Sequence, residues 1–396
     1  MSDGTTEKFF EQQKEKSRIK TMIVTDFFKA YFQIINYAFN PNKVYYIDLF
    51  CGPGKYEDGT PSTPIALLDV VRDFENNDIR DKLALILNDK DPVYVSKLRG
   101  CVYNHEVCNL LKYRPVIMNL EASKVDISNY VSRSTPAFSF IDPFGYIDVS
   151  ARQIWTLVKN AGSDCVLFFN TDRILRDIGK PSQEEYFRQI FEGELATAKE
   201  IQLSRDSQKA KCEKFLMLFA KVLYKKMNQE SFTYSLYTLP FRIEADDKNK
   251  TSHYIVFISK SHKAIEEMKK VMLNHSNNTE VTFSFDSKDS LLVSLFSRED
   301  NLNLSILNAI RKLLRDNPQY LKYWFTVPEL METMDKISMQ EKYQVFPYLV
   351  SELKDIVDCL HKKGYIDIET KPNEKIRKAI TLKRRFKFND RILEIK

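Results

Sequence analysis

The densest run of chemistry-bearing residues is Ile47-Asp48-Leu49-Phe50-Cys51-Gly52-Pro53-Gly54. An apolar stretch ending in an acid runs into a turn whose glycines let backbone approach a ligand closely. A dinucleotide-binding turn needs a third glycine to open its helix against a pyrophosphate. Glu57 stands at that place. A carboxylate there repels a pyrophosphate and tolerates a zwitterionic, cationic ligand. S-adenosylmethionine (SAM), a sulfonium with an amino-acid tail and no phosphate, fits. Asp48 would hold its amino end directly or through water. Cys51 reads as a small packing residue of the turn rather than a nucleophile.

Two further acids follow apolar stretches. Asn88-Asp89-Lys90-Asp91-Pro92 closes the second strand, where a carboxylate in a doubly wound sheet commonly takes ribose hydroxyls. Asp89 is the first acid after the strand. Asp91 reads as the cap of a helix opened by Pro92, with the two roles open to exchange. Asn119 and Glu121 end the third strand, either edging an adenine or serving as plain loop. Phe140-Ile141-Asp142-Pro143-Phe144-Gly145-Tyr146 closes the fourth. Ligands of open α/β sheets sit outside the carboxyl ends of strands, so Asp142 should face the crevice. Amino-methyltransferases place an acidic or amide residue, two prolines and an aromatic here. The carboxylate accepts a hydrogen bond from the target nitrogen and the aromatic stacks on the base. In this chain Phe144 replaces the second proline and Gly145 the aromatic, leaving Phe144 or Tyr146 to stack. The competing reading of Asp142 is an Asx turn. Cytosine-C5 chemistry needs a Pro-Cys dipeptide, which the sequence lacks.

The elements that must carry these residues alternate. Thr5 to Phe39 has a helical period and Asn40-Pro41-Asn42 stops it. Strands are expected at 44–50, 82–87, 116–119, 137–141 and 164–170, with helices between them from 64, 92 and 154. That alternation predicts a parallel, Rossmann-like α/β sheet. A helical insertion at about 171–230 follows. A late hairpin, 235–243 with 253–259, is a feature of SAM methyltransferase folds and not of dinucleotide dehydrogenases. Ser297 to Asn301 is a polar break, giving domains 1–298 and 299–396. Beyond it, helices at 302–314, 326–334 and 346–361 and strands at 365–369 and 380–388 read as a winged helix-turn-helix.

The chain has 396 residues, 43% hydrophobic and 29% charged, which suits two or three globular domains and excludes a disordered chain. Six cysteines without a C-x-x-C, and five histidines without metal-site spacing, point to reduced thiols in a cytoplasmic protein with no protein-borne metal. No apolar run approaches the roughly 18–20 residues of a bilayer span. The N-terminus lacks a signal-peptide apolar stretch. The net charge of +6 resides wholly in residues 301–396, with 19 Lys+Arg against 13 Asp+Glu. Lys371, Lys375, Arg377, Lys378, Lys383, Arg384, Arg385 and Lys387 form a block broken by Glu374 alone. Phosphates are the usual partners of such a block, and the alternative is a solvated strand pair.

In combination, YIDLFCGPGKYEDG-TPSTPIALL, NDKDP and SFIDPFG resemble the three-Cys-motif partner protein family. The start KSRIKTMIVTDFFKAYF and the late HYIVFISKSHKAIEEMKKVM are similar to that family's, as is the appended winged helix. The resemblance covers most of the chain. It implies a methyltransferase-like fold and association with a radical-SAM-like protein bearing three cysteines. The pattern is also similar to ribosomal-RNA adenine-N6 methyltransferases, whose Asp-Pro-Pro-aromatic box departs from Asp142-Pro143-Phe144-Gly145. By that likeness Gly52, Gly54, Tyr56, Asp89 and Asp142 would line the cofactor and target pocket, with Lys20 on the SAM carboxylate. Two readings compete: a SAM-dependent methyltransferase acting on nucleic acid, and a docking partner that keeps the sheet without the chemistry. A third, thinner one is a DNA-binding regulator gated by a small ligand.

Overall fold

A computed structural model describes residues 3–75, 78–130, 135–143, 149–230, 235–244, 251–277, 282–285, 298–369 and 380–394. Phe144 and Tyr146, the hairpin turn after Glu244, and the basic residues Lys371, Lys375, Arg377 and Lys378 lie outside the described residues.

The chain begins with helix α1 (Asp3–Phe39), followed by β1 (Val44–Asp48), α2 (Thr63–Arg72), α3 (Asp78–Lys82), β2 (Leu83–Asn88), α4 (Pro92–Tyr103), β3 (Val116–Met118) and β4 (Ala137–Ile141). Then come α5 (Ala151–Val158), β5 (Asp164–Phe169), α6 (Thr171–Asp177), α7 (Glu184–Phe191), α8 (Leu195–Leu203) and α9 (Gln208–Gln229). The late elements of the sheet are β6 (Tyr237–Glu244), β7 (Thr251–Ser259), α10 (His262–Asn274) and β8 (Ser284–Phe285). Among the described residues the sheet has eight strands in the order β3-β2-β1-β4-β5-β7-β6-β8. Strands β1 to β5 pair in parallel, and β7 runs antiparallel to both β5 and β6. This is a Rossmann-like sheet, mostly parallel and closed by the expected hairpin. Strand order reverses between β1 and β4, so the ligand crevice of such a sheet lies over their carboxyl ends.

The central strands β2, β4 and β5 are buried at every position, as strands covered by helices on both faces must be. One core joins the sheet to α1, α2, α4 and α10, and a second joins its other face to α5–α9. Helix α1 descends the first face. Lys20, Val24, Phe27 and Tyr31 share one stripe, at spacings of three to four. Lys20 reaches the crest at Asp142, and Tyr31 Oη donates to Gly162 O at the foot, 2.8 Å away.

A third core runs from Leu302 to Ile392. It packs α11 (Arg298–Asp316), α12 (Val327–Lys342) and α13 (Val350–Lys362) against a two-stranded antiparallel ribbon, β9 (Ile366–Ile368) and β10 (Phe386–Phe388). Phe325 bridges to Phe386 as a further extended position. Thr326 and Glu329 form a capping box at α12, and Gly364 ends α13 at φ +76°. Two expectations need correction. Phe346 lies outside α13, because Tyr343 turns left-handed at φ 56° and Asp335 Oδ1 accepts Phe346 N–H at 2.9 Å. The last strand starts at Phe386 and not at Ile380, whose N–H is held by Asp358 Oδ1 at 2.7 Å.

Helix α12 is also bound to the sheet domain. Val345 N–H donates to Thr238 O, 3.0 Å, and Thr238 Oγ1 to Tyr343 O. Beside them Lys269 Nζ, fully buried on α10, lies 2.8 Å from Asp335 Oδ2, also fully buried, and 3.3 Å from Glu266 Oε1. His262 Nε2 is 2.9 Å from the same Asp335 oxygen. The ligand atoms of His262, Glu266 and Asp335 lie within 4.8 Å of one another, close enough to hold a metal ion. Here the cation among them is the Lys269 ammonium. Nothing in the sequence pattern signals this group, since Lys269 looks like a solvated position of an amphipathic helix.

Candidate functional site

Asp48 is the last residue of β1 and is 1% exposed. Its Oδ1 accepts Phe50 N–H at 2.9 Å, and Tyr46 Oη lies 3.4 Å from Oδ2. The chain then turns through Gly52 (φ +65°) and Gly54 (φ +84°). The two glycines serve different ends. A Cβ on Gly54 would lie 2.9 Å from Cys101 Cβ and 3.3 Å from Leu98 Cα, so its absence lets the turn pack on α4. A Cβ on Gly52 would meet nothing nearer than Tyr56 Oη at 3.8 Å. Gly52 therefore borders the open side of the crest, with Tyr56 across from it. Cys51 is buried and tied down, its N–H on Asn88 O and its Sγ 3.2 Å from Asp48 O. Its thiol packs within the turn, next to the residues expected to line the cofactor pocket. Ser62 Oγ, buried beside the turn, has no hydrogen-bond partner among the described residues.

Asp89 accepts Gly52 N–H on Oδ2 and Asp91 N–H on Oδ1, both at 2.9 Å. Asp91 caps α4 by accepting from Val93 N and Tyr94 N. Of the two acids, Asp89 thus faces the glycine turn and Asp91 serves the helix. Asn119 is exposed and donates to Asp89 O at 3.0 Å, while Glu121, also exposed, pairs with Lys124. Sequence reasoning missed Asn88. Fully buried, it donates to Leu49 O and Leu120 O and accepts Leu120 N–H. It thereby joins the ends of β1, β2 and β3. An amide at the end of an otherwise apolar strand was its available signal.

Asp142 follows β4 and pairs with Lys20 of α1, 2.7 Å between Oδ2 and Nζ. The same ammonium lies 4.1 Å from the centroid of the Phe168 ring. Lys20 therefore sits on Asp142, where the family resemblance had put it on a SAM carboxylate. Pro143 lines a narrow apolar slot of about 20 Å3 with Val149, Leu167 and Phe168, room for about one water.

The acids interact. Burial pushes the Asp48 carboxyl up to about 7, with the charges of Asp142 and Asp89 adding to it and the Phe50 N–H opposing it. Burial pushes the Tyr56 phenol up to about 12, and Asp142, Asp48 and Asp89 all add to the shift. Asp89 and Tyr56 thus stand at Gly52, and the charges of Asp48 and Asp142 reach Tyr56 as well. Three carboxylates against the single Lys20 ammonium make the crest unfavourable for a phosphate. Lys383, Arg384 and Arg385 are elsewhere, on the turn leading into β10.

No protein-family model and no curated protein matches the chain. Among solved structures, a Clostridium thermocellum protein assigned as an rRNA methylase aligns at 11% identity and TM-score 0.29, over 58% of this chain and 96% of that one. A Methanococcus maripaludis protein assigned as a SAM-dependent methyltransferase aligns at 14% identity and TM-score 0.27, over 63% and 91%.

Proposed function

We propose that the crest binds SAM and that the protein transfers its methyl group to an amine of a nucleic acid. One observation carries this reading: Asp89 and Tyr56 both stand at Gly52, and Asp48 and Asp142 lie near enough for their charges to act on Tyr56. Asp48 would hold the ammonium of the amino-acid tail and Asp89 the ribose hydroxyls, with Asn119 at the rim. The bound group supplies an activated methyl on a positively charged sulfur. Asp142 orients the acceptor amine by taking its hydrogen bond, so the protein contributes mainly position. The C-terminal helices and ribbon act as a winged helix whose basic residues meet phosphates.

Calorimetry should find SAM binding that Asp89→Ala weakens at least tenfold, and tritiated methyl should pass to total RNA or DNA. Absence of binding at millimolar SAM overturns the proposal. A second reading is a docking partner for a radical-SAM-like three-Cys protein. It is favoured by Lys20 already holding Asp142 and by Asp89 giving both oxygens to the chain's own N–H groups. Retention of such a protein on the purified chain, with SAM bound but no methyl transferred, would select it.

A further inference from the structure

Helix α13 takes the place of the groove-reading helix in a winged helix, and its charges are wrong for that task. The N-terminal residues of such a helix meet base edges between two rows of phosphates. Here Ser351 and Asp355 are exposed, Glu352 and Asp358 are half-buried, and Lys354 is drawn onto Asp358 at 2.8 Å. Two turns that carry Glu352, Asp355 and Asp358 against one neutralised lysine would repel a duplex.

The ribbon offers the opposite chemistry. Phe386 and Phe388 point into the core, so Arg385 and Lys387 point away from it. Phe325, bridged to Phe386, is likewise buried, which turns its neighbour Trp324 to the same outer side. Lys387 Nζ lies 5.2 Å from the Trp324 ring centroid, and Arg385 donates to Trp324 O at 2.9 Å. Tyr323, 48% exposed, lies on the Phe325 side with its ring 4.6 Å from that of Phe325, at the rim of this surface. Lys322 is exposed next to it. Asp367 on β9 lies opposite Lys387, 3.8 Å from its Nζ, and Glu369 follows β9 beside Arg385, so the two acids border the strip and its positive excess is left on the Trp324 side. Cations alternating with aromatic rings on an open strand surface are the components of single-strand recognition. Bases stack on the rings and phosphates meet the cations, at about 1–3 kcal/mol per stacked base.

We infer that the C-terminal unit binds single-stranded nucleic acid on the Trp324–Arg385–Lys387 face of its ribbon, with α13 held out of any groove. This rests on the nucleic-acid part of the proposed function and specifies its substrate class. A methyl acceptor would then be an unpaired base, or one in a loop, delivered by a strand held on the ribbon.

The test uses the full chain and fluorescent oligonucleotides: U15, dT15 and a 15-base-pair duplex. Both single strands should bind at least tenfold more tightly than the duplex. Trp324→Ala should weaken single-strand binding about tenfold. Because Trp324 is partly buried, Arg385→Gln with Lys387→Gln serves as the surface variant. It should lower the salt slope by about 1.4, at roughly 0.7 per single-strand phosphate. Asp355→Lys should change single-strand affinity less than about twofold, since added charge acts mainly on phosphates it touches. Tighter duplex binding, or loss of binding through α13 variants with the ribbon variants silent, overturns the inference. Oligonucleotide binding by protein that neither binds SAM nor transfers methyl would sustain it while overturning the reading of the crest. A protein that binds SAM but no oligonucleotide would do the reverse.

Discussion

Asp48→Asn should stabilise the protein and weaken its binding of SAM. Asp48 is a buried acid whose carboxyl is held at about 7 against an ordinary 3.8. At 1.36 kcal/mol per pH unit, that gap is worth at most about 4 kcal/mol. The folded state binds a proton at Asp48 that the unfolded state has released. Stability is therefore present below about pH 4, is lost as pH rises through 4 to 7, and is flat above. Asp164, buried at the foot of β5 and also held at about 7, contributes with the same sign. In Asp48→Asn about half of this slope should vanish, leaving the variant several kcal/mol more stable at pH 8. Ligand binding runs the other way. A cationic tail needs the ionised carboxylate, present in about one molecule in ten at pH 6 and nine in ten at pH 8. SAM affinity should rise about tenfold across that interval in the parent and be weak and flat in the variant. Urea unfolding and calorimetry at pH 6, 7 and 8 measure both quantities. Affinity independent of pH in the parent, or an unimpaired variant, refutes the reasoning.

Other outcomes follow from the same geometry. Gly54→Ala should cost about 1–3 kcal/mol by overpacking against Cys101 and Leu98. Gly52→Ala should cost less stability in urea unfolding while impairing SAM binding more. Lys20→Gln should leave SAM affinity within about twofold and lower methyl transfer about tenfold, since the ammonium positions Asp142. A loss of SAM affinity would instead place Lys20 on the ligand. Lys269→Met should destabilise by about 3–5 kcal/mol, because it leaves the Asp335 carboxylate buried without its cation. Denaturant unfolding gives the magnitude, and proteolysis near Arg298 reports whether α12 has loosened.

Most of the sheet could be read from the sequence, because its strands are short apolar runs between turn residues. The hairpin β6–β7 and the start of α12 at Thr326 were legible for the same local reason. The crest acids were legible because each follows a strand in sequence. What stayed hidden depends on partners distant in the chain. The pairing of Lys20 with Asp142 spans 122 residues. Lys269 gives no local hint that it is buried. Strand β8 has two residues and no pattern to display. The respective duties of Gly52 and Gly54 required knowing what stands opposite each, namely open space and Cys101.

The link between α10 and α12 also sets an order of events at the ribosome. Asp335 is made 66 residues after Lys269, a delay of roughly 3–13 s at 5–20 residues per second. Until it emerges, the nascent α10 carries an ammonium whose acidic partner is Glu266 of the same helix, without the closer carboxylate of Asp335. That edge of the sheet must wait, and the last quarter of the chain completes the first three-quarters.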